Sequence, residues 1–173
     1  KVRSEYLEAW GLEKDDVLHE ALLNSYRILP PRIYDFKKMM YTPGYAGEDF
    51  LNMDPYFISD KKKKEGICLS VKGLSNGAVA VLYPGVIKKL VEFMDGGFYV
   101  VFSSVHEALI YSSKLCSLEE LENLLRTSNA RMTFQKEFLT DKVYYYCKEE
   151  DKFIMLRGSM KMLVTTIRMD EEN

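Results

Sequence analysis

The chain has 173 residues, of which 47% are hydrophobic and 29% charged, with a formal net charge of -2 and three cysteines. That balance suits a domain with one buried core. It excludes a low-complexity or disordered chain and a protein drawn to nucleic acid by overall basicity, and no apolar run approaches the ~20 residues of a membrane span.

The chain opens at Lys1 without a methionine and enters a helical pattern almost at once, which reads as a fragment of a longer protein. Ser4–Trp10 is predicted as a short helix with Ser4 as its N-cap and Gly11 as its stop. A second helix is expected from Glu13 to Tyr26. Val17, Leu18, Ala21 and Leu22 form its apolar stripe, and His19 lies off it in solvent. Pro30-Pro31 breaks the pattern, and Ile33 to Met40 reads as one more short helix. Residues 42–66, punctuated by Pro43, Gly44, Gly47, Pro55 and the run Lys61 to Lys64, read as a long loop. Its aromatics Tyr45, Phe50, Tyr56 and Phe57 suggest that part of it packs down. The lysine run is a candidate phosphate contact, but a solvated loop is the plainer reading, because no aromatic platform is interleaved with it.

Ile67–Val71 alternates as a strand, and Ser75-Asn76-Gly77 as a turn. The stretch from Ala78 to Tyr111 organises the rest. Leu82, Val86, Leu90 and Phe93 or Met94 recur on one helical face, and Pro84 places the helix start near itself or kinks a helix running from about Gly77. Asp95-Gly96-Gly97 ends it, with glycine expected in the left-handed cap. Phe98–Phe102 is apolar throughout, so it is predicted as a central strand covered on both faces. Ala108–Tyr111 is a further strand. Ser117 and Glu120 form a capping box that opens a helix to about Asn129, with Leu118, Leu121, Leu124 and Leu125 on its buried face. Val143–Cys147 and Phe153–Leu156 form a hairpin across Lys148 to Asp151, with Tyr144, Tyr145 and Tyr146 as a strand face. The fold predicted is α+β: a small mixed or antiparallel sheet with helices packed on it and an N-terminal helical portion. It forms a single domain over residues 1–157, and 158–173 is a C-terminal tail with enough β-branching for one more strand.

Chemistry-bearing patterns are sparse. Ser103, Ser104, His106 and Glu107 form one polar cluster at the end of a buried strand. Serine, histidine and a carboxylate are the parts of a nucleophile, a base and an orienting group, but neighbours on extended chain point opposite ways, and no G-x-S-x-G elbow is present. The competing reading has a serine capping the turn and His106 bonding nearby backbone. Two distant histidines and no Cys-x-x-Cys or His-x-x-x-His spacing give no metal site, and no cofactor motif appears; Gly96-Gly97 precedes a strand, not a helix. Cys68, Cys116 and Cys147, odd in number and widely spaced, fit a reducing cytoplasm rather than a disulfide framework.

Leu82-Tyr83-Pro84-Gly85, Gly96-Gly97-Phe98-Tyr99, Ser103-Ser104-Val105-His106-Glu107 and Val143-Tyr144-Tyr145-Tyr146 follow one another with a characteristic spacing. Upstream stand Leu7-Glu8-Ala9-Trp10-Gly11 and Ala21-Leu22-Leu23-Asn24. In these stretches, from roughly Val2 to Leu156, the chain resembles the C-terminal part of an uncharacterised clostridial family of gut anaerobes, domain of unknown function 5688. Phe102 stands where members usually carry proline, and Cys147 where they usually carry aspartate. The resemblance implies a cytoplasmic bacterial protein and brings no activity with it. The functional expectation is a non-catalytic binding or interaction domain for a protein or small-molecule partner, with no membrane and no nucleic acid. The alternative is a hydrolase using Ser104, His106 and Glu107.

Overall fold

Short, mostly apolar runs build the sheet, apart from a two-residue polar strand at one edge. The computed structural model describes residues 3–132, 136–157 and 160–163. In chain order the elements are α1 (Ser4–Trp10), α2 (Lys14–Ile28), β1 (Pro31–Tyr34), α3 (Phe36–Tyr41), β2 (Glu48–Asp49), α4 (Asp60–Glu65), β3 (Ile67–Val71), α5 (Val86–Met94), β4 (Phe98–Val101), β5 (Ala108–Ser112), α6 (Leu118–Met132), β6 (Val143–Cys147), β7 (Lys152–Arg157) and β8 (Met160–Leu163). Two 3-10 turns, Pro55–Phe57 and Gly77–Leu82, join them. The fold is α+β, as the sequence predicts.

The strands form one sheet in the order β2-β1-β3-β5-β4-β6-β7-β8, and every neighbouring pair is antiparallel. This order contains two interlocked crossovers. From β3 the chain passes over one face, through the Gly77–Leu82 turn and α5, and enters β4 beyond β5. From β5 it passes over the other face through α6 and enters β6 beyond β4. Strands β3 and β4 run one way, β5 and β6 the other. Both crossovers move the same way along the sheet, so helices on opposite faces give them the same hand, as a twisted sheet requires.

Residues of β4 alternate between two cores accordingly. Phe98 and Val100 join the larger core with Ile67, Leu69, Ile110, Leu90 and Phe93; Val101 joins the smaller with Tyr111, Leu121, Leu125 and Val143. All four β4 partners on β5 and β6 are in register, from Phe98↔Ser112 and Phe98↔Tyr146 to Val101↔Leu109 and Val101↔Val143. The predicted central strand is therefore central and buried on both sides.

Several details differ from the expectations. The helix of residues 86–94 starts near Pro84, one of the two expected starts, with Gly85 as its N-cap, but its left-handed C-cap is Asp95 at φ 55°, not a glycine. The cap position of α1 is Arg3, because the helix already includes Ser4. On α2 the inward line is Leu18, Leu22 and Tyr26, while Ala21 is exposed and His19 half-buried. Leu124 of α6 is exposed. The short helix expected over Ile33 to Met40 begins only at Phe36, as α3, and Pro31–Tyr34 is a strand. Proline is tolerated at a strand's first residue, and Pro31-Arg32-Ile33-Tyr34 pairs with β2 on one side and β3 on the other. The sheet is thus larger than predicted.

Residues 42–66 read as a long loop, yet they hold β2, a 3-10 turn and α4. Phe50 is fully buried and Tyr45 packs edge-on to Tyr34, whereas Tyr56 and Phe57 point to solvent. The capping box is formed as predicted: Ser117 N–H donates to Glu120 Oε2 at 2.9 Å and Glu120 N–H to Ser117 Oγ at 3.3 Å. The β6–β7 hairpin forms across the predicted turn. The tail's expected strand is β8; its continuation, 164–173, lies outside the described residues.

Val100→Asp and Val101→Asp each put an unpaired charge into a sealed core, one on either side of β4. Each is expected to abolish the cooperative denaturant transition, since burial of an unpaired charge is among the costliest single changes. A soluble variant that still unfolds cooperatively at either position would mean that β4 is uncovered on that face.

Candidate functional site

The polar corner 103–107 sits where β4 ends and β5 begins. Ser103 Oγ and Ser104 Oγ both donate to Glu107 Oε1, at 2.7 and 3.0 Å. Ser104 Oγ in turn accepts from His106 N–H at 3.0 Å. His106 faces elsewhere, as expected for a neighbour of Glu107. Its Nδ1 accepts from the Asn76 backbone N–H at 3.1 Å, which leaves the ring proton on Nε2, 3.6 Å from Glu137 Oε1. Serines and carboxylate are thus brought together, while the imidazole is directed at another chain segment. A serine nucleophile needs its base on the hydroxyl, and here both hydroxyl protons go to a carboxylate.

The corner's backbone is as heavily used as its side chains. The His106 carbonyl accepts from Ser70 Oγ at 2.6 Å and from Gly77 N–H at 3.1 Å; the Val105 carbonyl accepts from Ala78 N–H, and Val105 N–H donates to the Glu137 carbonyl. Gly77 is wedged between β3 and the corner. A Cβ there would lie 2.7 Å from the His106 oxygen and 2.7 Å from the Val71 nitrogen, so a side chain would pry the two apart. The preceding turn carries Leu74 and Asn76 at φ 59° and 55°, a region that non-glycine residues occupy at a cost. The clamp from His106 and the bonds of Tyr34 Oη, which donates to Val71 O and accepts from Gly73 N–H, hold it there.

Ser70, Asn76 and Glu137 were not foreseen. Ser70 left one trace, as the single hydroxyl in an otherwise apolar strand. Cys68, beneath the corner, has its thiol pushed up to about 12 by burial and by the Glu107 charge, which removes it as a nucleophile at neutral pH. All three cysteines are free. Among the described residues, no group of three or more His, Cys, Asp or Glu is placed to hold a metal ion.

The lysine run belongs to α4, capped by Ser59. Lys61 pairs with Glu65 and Lys63 with Asp60 along the helix, and Lys62 reaches Asp35, the N-cap of α3. Three of the four ammonium groups therefore already face carboxylates, which weakens the phosphate reading. The Lys62 ammonium, with the Lys38 and Lys37 amides, holds the Asp35 carboxyl down at about 2 from its ordinary 3.8.

Away from the corner, two open hollows mark the surface. One lies between α1 and α2, along Leu7, Gly11, Leu12 and Lys14. The other lies at the β2 edge of the sheet, lined by Glu48, Asp49, Met53, Asp54 and Phe57. Neither is lined by Ser103, Ser104, His106 or Glu107. Phe57 of the second hollow's lining and the neighbouring Tyr56, on the 3-10 turn, are exposed, as are Phe36, Met40 and Tyr41 on α3. Lys38 of α3 reaches across to Glu48 of β2 at 2.9 Å and so ties α3 to the lining of the hollow. No helix among the described residues is long and apolar enough to cross a membrane.

The model of a family described as a family of unknown function (DUF5688) matches residues 1–148. No curated protein and no solved structure matches the chain.

His106→Ala removes the acceptor of the Asn76 N–H. With the ring one-third exposed, water can partly replace it, so the expected loss is roughly 1 kcal/mol, read as a lower denaturant midpoint at unchanged slope. A variant as stable as the parent would show that the turn does not depend on the ring. Asp35 gives a pH signature. Its folded pKa lies below the unfolded one, so its contribution is complete above about pH 4 and disappears as pH falls toward 2. The Lys62 partner is half-exposed, which limits the effect to about 1 kcal/mol or less. Asp35→Asn should flatten the stability profile between pH 4 and pH 2; an unchanged acid limb would remove the Asp35–Lys62 tie as its source.

Proposed function

The chain belongs to the DUF5688 family, and we propose that it is a non-catalytic interaction domain which docks a protein partner on the aromatic surface at the β2 edge. One observation carries this reading: Tyr41 is 80% exposed, Tyr56 97% and Phe57 71%, in a chain that otherwise buries Phe50, Phe93 and Phe98 completely. Aromatic and methionine side chains are the residues most enriched at the cores of protein interfaces, where they bury much area at little conformational cost. Phe57 lines the hollow, Tyr56 is its chain neighbour, and Lys38 ties α3, which carries Tyr41, to Glu48 of the same lining. A cytoplasmic setting belongs to the same reading and is supported by the three free thiols.

The hydrolase alternative draws little support from the corner. Its hydroxyls face Glu107, its imidazole faces Asn76, and neither surface hollow opens onto it.

The test is a peptide-display selection on the immobilised domain, followed by anisotropy titrations of the enriched peptides. Tyr56→Ser with Phe57→Ser should weaken binding at least about tenfold, as loss of interface anchors does, with an unchanged melting curve. Peptides that bind the double variant as well as the parent would move the docking surface elsewhere. Turnover of an ester, amide or phosphate substrate that Ser104→Ala abolishes would replace the interaction reading with the hydrolase.

A further inference from the structure

We infer that the partner inserts a lysine or arginine side chain into the hollow at the β2 edge; this rests on the docking reading above. The hollow is about 220 Å³, large enough for one long side chain. Its lining is of two kinds. Met53, which packs against the main core, and Phe57 supply an apolar floor and an aromatic wall. Glu48, Asp49 and Asp54 supply carboxylates. A lysine or arginine has the matching division, an apolar stem that lies along methionine and aromatic surface and a cation at its end.

The charge around the hollow is only partly neutralised from within. Glu48 is paired with Lys38. Asp54 Oδ1 accepts from the Tyr56 N–H at 2.9 Å, and no cation among the described residues pairs with it. Asp49 is opposite Arg32 in register, yet the two form no ion pair, and the buried Arg32 Nε has no hydrogen-bond partner. Among the described residues the carboxylates of Asp49 and Asp54 therefore make no ion pair, and the exposed Phe57 ring stands beside them. An apolar side chain would fill the floor but leave both charges partly desolvated. An acidic one would be repelled. A basic one satisfies both parts of the lining, and this complementarity selects the occupant.

The inference is tested by following the amide spectrum of the whole chain during titration with Nα-acetyl-lysine methylamide and Nα-acetyl-arginine methylamide. Nα-acetyl-norleucine methylamide serves as the uncharged probe of similar length. The expected result is a saturable shift confined to Glu48–Phe57, at least about fivefold tighter for a cationic probe than for norleucine. It should weaken as salt is raised and be lost in Asp49→Asn with Asp54→Asn, a pair that keeps the acceptor of the Tyr56 amide. Equal binding of norleucine would overturn the basic occupant while the docking surface stands. The same shifts with magnesium chloride alone would reassign the hollow to a metal ion and overturn it as well. If no probe shifts Glu48–Phe57, the basic occupant fails; if display-selected peptides also ignore Tyr56→Ser with Phe57→Ser, the docking reading fails with it.

Discussion

Strand β4 has to be covered on both faces at once, and that requirement shapes the chain around it. Val100 enters one core and Val101 the other, both fully buried. Neither cover comes from far away in sequence. Helix α5 leads into β4 through Asp95-Gly96-Gly97 and covers one side; α6 follows β5 and covers the other. The stretch from α5 to α6 thus supplies a strand pair together with both of its lids. The remaining strands extend the sheet outward, β3, β1 and β2 beyond β5, and β6, β7 and β8 beyond β4. Two crossovers of one hand are the economical way to thread such a sheet, because each passes over a single strand and lands on the face that still lacks a cover.

The interlocked threading explains the polar corner. Where β4 turns into β5, the chain must also meet the turn leaving β3 and the segment returning from α6. Three stretches of backbone end there with donors and acceptors that no ladder satisfies. His106 and its neighbours supply the missing partners: the ring for Asn76, the carbonyl for Ser70 and Gly77, the Val105 amide for Glu137. Buried backbone groups left unpaired are expensive, so a cluster of small polar residues at such a junction has a structural cause before any chemical one.

Much of this was legible, and the exceptions have definite reasons. The apolar run of β4, the capping box at Ser117 and the hairpin at Lys148–Asp151 are local patterns, and each formed where it was read. Strand β1 was missed because two prolines outweighed four residues, and only pairing on both sides makes Pro31–Tyr34 a strand. Helix α4 was missed because a six-residue polar helix has no apolar period; its signal is Ser59 followed by charges at i, i+3 and i+4 spacing. The corner could be found as a polar cluster from 103–107 alone. Its meaning could not, since Asn76, Ser70 and Glu137 lie thirty or more positions away. Tyr45, Phe50, Tyr56 and Phe57 together suggested that part of residues 42–66 packs down; Phe50 does and Tyr56 and Phe57 do not, a division that composition alone cannot make.

Satisfied and unsatisfied groups distinguish the two regions. At the corner, hydroxyls, carboxylate, imidazole and carbonyls engage one another, so a ligand arriving there would have to break existing bonds before making its own. At the β2 edge, aromatic rings face water, and the carboxylates of Asp49 and Asp54 make no ion pair among the described residues. The sheet's edge itself is unsuited to pairing with a partner strand, since β2 is only two residues long, a length that limits edge-to-edge addition. A partner docking at that end, as proposed above, would therefore be held by side chains and not by backbone. The side chains on offer, rings with carboxylates among them, favour a partner that is apolar along its length and positive at its tip.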